Sequence, residues 1–127
     1  MNSNEVANRL KQIKIEDFIW VIYIGIILLS WYSNSLERKY LINNDNVSKE
    51  KYREIIIFIF SILVIVYSYF LNSSINDIHN LKPDDSEEKK NLTYLAFIAS
   101  LLIAISGVIF LYIAISDEEL NIEVAFN

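Results

Sequence analysis

Three stretches of this chain carry no charged residue, and they constrain its fold more than any other feature. The first runs from Phe18 to Ser33 (FIWVIYIGIILLSWYS), the second from Ile55 to Leu71 (IIIFIFSILVIVYSYFL) and the third from Leu92 to Ser116 (LTYLAFIASLLIAISGVIFLYIAIS). All 11 Lys and Arg, all 16 Asp and Glu and the single His lie between or outside them. An uncharged apolar run of about 18 residues or more reads as a transmembrane helix, since about 20 residues at 1.5 Å rise cross the hydrocarbon core. The third run is long enough alone; Asn34 to Leu36 extend the first, and Asn72 to Ser74 the second. The expected fold is all-α, a single membrane domain with an up-down-up bundle of three transmembrane helices. Its spans are 18–36, 55–74 and 92–116, its polar loops 37–54 and 75–91, and its acidic C-terminal tail 117–127.

Soluble core helices are the competing reading, but those show a polar stripe at helical spacing, and these runs are apolar all round. With 54% hydrophobic residues but only two Gly and one Pro, the chain is suited to long helices rather than to disorder. Aromatics gather near the span ends: Phe18, Trp20, Trp31 and Tyr32 on the first, Tyr67, Tyr69 and Phe70 on the second, Tyr94 and Phe97 on the third. Tyr and Trp favour the headgroup level because their rings are part apolar and part polar. A cleavable leader is the rival for the first block. Glu16 and Asp17 abut that block, however, and no small-x-small site follows it, so a true span is expected.

Polar punctuation places the helix ends. Pro83 precedes Asp84-Asp85-Ser86-Glu87-Glu88, in which Asp85 and Glu88 have capping-box spacing, so the third helix should begin near Ser86. Ile75, Ile78 and Leu81 recur at helical spacing, which suggests a short amphipathic helix continuing the second span or lying along the interface. The first loop is expected to hold helical extensions of its flanking spans. In the tail, Ile122, Val124 and Phe126 alternate with Asn121, Glu123 and Ala125. That is strand periodicity, but a lone strand is not stable in water. The tail should be disordered or add to a partner's sheet edge.

Composition excludes several kinds of chemistry. Without Cys there are no disulfides, thiol nucleophiles or thiolate metal sites. The net charge of -5 argues against nucleic acid as a partner. His79 stands alone at no metal-site spacing and reads as a solvated loop residue, and the acidic cluster reads as helix capping. No Ser/His/Asp set, nucleotide loop, haem pair or metal box is present, so neither enzymatic activity nor a cofactor is expected. Ionisable groups inside spans mark proton and ion paths; their absence here argues against a proton-coupled transporter.

The polar and small residues within the spans form faces. Tyr23 and Ser30, Ser61 and Ser68, and Ser100 and Gly107 are each seven apart, two helical turns, so each pair shares a face. Ala96 and Ala114 fall in the same sector as Ser100 and Gly107. Helices in lipid approach closely at small residues and gain hydrogen bonds from hydroxyls, so these eight residues are the candidate helix-packing positions. The expected partners are the lipid bilayer and either another membrane protein or a second copy of this chain.

Abundant Ile, Asn, Lys and Tyr match the codon bias of an AT-rich bacterial genome, so the bacterial cytoplasmic membrane is the expected location. Lys and Arg count six against five for the N-terminus inside and the C-terminus outside, a bare preference. In size and span number the chain resembles three-span phage holins in outline; those carry a basic C-terminal tail, and this tail is acidic. Two roles follow: a non-catalytic accessory or interaction subunit of a membrane complex, and a self-assembling, holin-like pore.

Overall fold

The structure is a computed structural model and describes residues 2–124. It is all-α, with three helices: α1 (Ser3–Asn43), α2 (Asn46–His79) and α3 (Glu87–Ser116). Each start is fixed by a polar cap that satisfies backbone N–H groups the helix itself leaves unpaired. Asn2 and Glu5 form a reciprocal capping box on α1, with bonds of 2.9 and 3.0 Å. Asp45 accepts from the Val47 amide and the Ser48 hydroxyl at the start of α2. Ser86 accepts from the Lys89 amide and caps α3. The third helix therefore begins where the sequence indicates, but Ser86 is the cap rather than Asp85. The Asp85 carboxylate instead accepts from the Lys82 amide at 2.7 Å and closes the turn around Pro83.

The polar segments 37–54 and 75–91 are mostly helix rather than loop. α1 and α2 are joined by Asn44 and Asp45 alone, and Asn44 takes the left-handed conformation (φ 53°) that an Asn tolerates at a helix C-terminus. At 41 residues, α1 is about 60 Å long, about twice the thickness of a bilayer's hydrocarbon core. Ile75 and Ile78 extend α2, and Leu81 lies just past its end.

The three helices form an open layer. α2 packs against both neighbours, whereas α1 and α3 do not approach one another. On α1 the contact stripe is Ile19, Ile26 and Ser33 with Ile22, Leu29 and Leu36 between, a seven-residue repeat of the kind that keeps one seam facing a partner. α2 is the most buried helix, with Ile59 and Phe60 1% exposed. Ile26, Leu36, Tyr52, Ile56 and Leu63 complete the core with them.

Two helices, α2 and α3, are long and apolar enough to cross a membrane. In a soluble protein such helices would be core. Here only 28% of the most apolar stretch of α2 and 17% of that of α3 is buried, so apolar side chains point outward. The uncharged run of α1 is diluted by two Trp, two Tyr and Asn34, but its outward side also exposes apolar residues, among them Phe18, Val21, Ile24, Leu28 and Trp31. A contiguous apolar surface of this extent marks a membrane or protein contact rather than a face toward water.

Candidate functional site: a groove over the central helix

Because α1 and α3 flank α2 without meeting, one side of α2 is the floor of a groove. A cavity of about 350 Å³ lies in it, with walls from all three helices: Arg9, Gln12, Glu16 and Tyr23 of α1, Tyr67, Ser73, Ser74 and Asp77 of α2, and Ser100 and Ile103 of α3. Tyr23 and Tyr67 also line a second chamber of about 410 Å³, bounded by Trp20, Ile26, Ile27, Ser30 and Leu63 and almost wholly apolar. The groove is thus polar at one end and apolar at the other.

Register creates the polar end. Ser74 and Ser100 hydroxyls are 2.8 Å apart, tying the end of the second apolar block to a point eight residues inside the third. The Ser74 hydroxyl donates to its own Phe70 carbonyl, so Ser100 is the donor between the helices. The three apolar blocks are consequently staggered, and Arg9, Glu16 and Asp77 share a cavity with residues from the interior of the third block. No single block contains an ionisable group, but the assembled helices place three beside one. Sequence reasoning missed them because each looks like an ordinary flanking charge; only the pairing of α2 with α3 brings them together.

Within the cavity, Arg9 Nη1 donates to Glu16 at 3.1 Å and to Gln12 at 3.3 Å. Asp77 forms no ion pair among the described residues. Trp20 and Tyr23 meet edge to face, with ring centroids 5.6 Å apart.

The eight candidate packing positions fall in different surroundings. Gly107 is the one buried residue of α3, and the Tyr67 ring lies over it: a Cβ there would come 2.8 Å from Tyr67 Cδ2. Ser100 bonds across to α2, and Ala114 packs on the core. Tyr23 and Ser30 face the apolar chamber. Ser61 and Ser68 each donate to the carbonyl four residues back on their own helix, at 2.7 Å, and Ser68 is exposed. Ala96 is exposed beside the α2–α3 turn, in a cleft of about 580 Å³ formed around the capping residues. The face of α2 that meets α3 is Phe60, Tyr67 and Ser74, one residue earlier in register than Ser61 and Ser68. Phe60 stacks on Phe110 at 5.5 Å, Tyr67 covers Gly107 and Ser74 bonds Ser100.

The tail departs from expectation. Residues 117–124 form neither a strand nor a free end but fold back over the start of α2. Asp117 accepts from the Asn121 and Ile122 amides, bonds that hold its carboxyl below the usual range and close a turn. Leu120 and Val124 then pack on the cluster that includes Leu36, Tyr52 and Ile56, and Val124 becomes a buried residue. Alternation misleads here because the inward residues come from a compact turn rather than an extended strand. Phe126, the last of the alternating series, lies outside the described residues.

Docking of the tail places charged groups together. Burial pushes the Glu37 carboxyl up, the nearby Glu123 carboxylate adds to this, and a hydrogen bond from Tyr52 opposes it. The Tyr52 hydroxyl is raised in turn by burial and by Glu37. Lys49 pairs with Glu119 at 3.1 Å, and Arg53 donates to the Ile115 carbonyl. His79 is exposed in the last turn of α2, and no cluster of metal-ligating side chains occurs among the described residues.

Comparison with protein-family models, curated proteins and solved structures finds no match to this chain.

Proposed function

We propose that this chain is a three-span integral membrane protein acting as a non-catalytic accessory subunit, packing its outer helices against a larger membrane complex. The observation that carries the reading is the state of α3, which buries only Gly107 and contacts α2 alone. Its remaining circumference, including Leu102, Val108, Ile109, Tyr112 and Ile115, is an exposed apolar surface. In lipid such a surface has no hydrophobic drive to associate, so a partner would be held by close packing.

Three spans are favoured because α1 packs along α2 through a stripe from Ile19 to Leu36 and exposes Phe18, Val21, Ile24, Leu28 and Trp31 on its outward side. The pore reading is less well supported. Ser61, Ser68 and Ser106 spend their hydroxyl protons on their own helix carbonyls, which weakens them as the lining of a water path. Crosslinking in intact membranes, followed by mass determination in mild detergent, tests the choice. The accessory reading expects a monomer crosslinked to a different protein; a discrete homo-oligomer of this chain alone would overturn it.

A further inference from the structure

We propose that the groove over α2 is a binding site for a zwitterionic phospholipid with a primary ammonium in its headgroup; this rests on the chain spanning the membrane. The groove's two chambers, about 350 and 410 Å³, each fall in the size range of small-molecule sites. Their chemistry is divided as an amphiphile requires. Trp20, Ile26, Ile27 and Leu63 wall the apolar chamber, and Arg9, Gln12, Glu16, Ser73 and Asp77 the polar one, with Tyr23 and Tyr67 common to both.

Charge selects the headgroup. Arg9 uses only Nη1 toward Gln12 and Glu16, so its other N–H groups can meet a phosphate oxygen. Among the described residues Asp77 has no ion pair and Glu16 pairs only with Arg9, so their side chains bring one cation and two carboxylates to the polar chamber. An anionic lipid would meet that excess unfavourably, whereas a phosphate with a tethered ammonium complements both signs. A quaternary headgroup presents no N–H donor to Asp77, which separates ethanolamine from choline lipids.

The chain's two Trp residues supply the test. In Trp31→Phe protein, Trp20, which lines the apolar chamber and is 62% accessible, reports on the chamber's mouth; in Trp20→Phe protein, Trp31, 74% accessible and outside the groove, reports on the outer face. Each variant is placed in phosphatidylcholine vesicles containing increasing fractions of brominated-chain phosphatidylethanolamine, phosphatidylcholine or phosphatidylglycerol, and fluorescence quenching is followed. Trp20 should be quenched at about fivefold lower fractions of brominated ethanolamine lipid than of the other two, the size of one solvent-exposed ion pair. Trp31 should show no preference. Asp77→Asn and, separately, Arg9→Gln should abolish the preference at Trp20 while leaving quenching of Trp31 unchanged.

A Trp20 response without headgroup preference, a preference for phosphatidylglycerol, or a preference that survives both substitutions overturns the lipid site while the membrane reading stands. Absence of quenching at both Trp residues overturns the membrane reading and the lipid site together.

Discussion

Gly107 and Gly25 both sit in helix interiors, yet their surroundings differ completely. A Cβ at Gly25 would meet nothing within 4 Å, whereas one at Gly107 would strike the Tyr67 ring. Gly25→Ala should therefore be neutral or slightly stabilising, because Ala loses less conformational freedom in a helix. Gly107→Val should push α3 from α2 and cost about 1–3 kcal/mol by overpacking. Reversible unfolding in mild detergent, followed by circular dichroism, measures both. The Ser74–Ser100 bond is a further contact that holds α3, and Ser100→Ala should cost about 0.6 kcal/mol, the average for a hydrogen bond between helices in a membrane. Equal effects at the two glycines would show that α3 does not seat on Tyr67. Ser100 and Gly107 were readable from the sequence because small residues at seven-residue spacing recur for a steric reason. Their partners Tyr67 and Ser74 were not, because a large aromatic facing Gly breaks the small-on-small pattern.

At the scale of elements, the tail's return onto α2 makes a prediction about pH. Glu37 is raised by burial and by Glu123, so it favours the docked tail when protonated. That contribution is complete below the ordinary carboxylate range and is lost as pH rises through the raised value. Asp117 is depressed, so its contribution is present above the ordinary range and is lost as pH falls through the depressed value. Docking should be tightest in mild acid, between these two losses, and should loosen toward neutral pH. Protease cleavage within 117–124 reads this directly: protection should fall as pH rises, and Glu37→Gln should remove most of that fall. Val124→Asp should expose the tail at neutral pH, because an unpaired carboxylate is costly beside Tyr52 and Ile56. The helices themselves were legible in the sequence, since charge-free runs and polar caps are local signals. The docked tail was not, because its burial depends on Leu36 of α1 and Ile56 of α2, contacts remote in sequence.

At the scale of the whole molecule, the open layer of α1, α2 and α3 becomes a membrane bundle only if all three helices cross. α2 and α3 are apolar enough for this by composition. α1 is the helix on which the topology turns, since its uncharged run is shortened by Asp17 on one side and Glu37 on the other. The chain contains no Cys, so single Cys substitutions report without background. Asn4→Cys, Asn44→Cys, Asp84→Cys and Asn121→Cys mark the start of α1, the two turns and the docked tail. Each is expressed alone and exposed, in sealed vesicles, to a maleimide that does not cross membranes. Three crossings predict that Asn4→Cys and Asp84→Cys label from one side and Asn44→Cys and Asn121→Cys from the other. Labelling of Asn4→Cys and Asn44→Cys from the same side would contradict it, leaving two crossings with α1 lying against the surface.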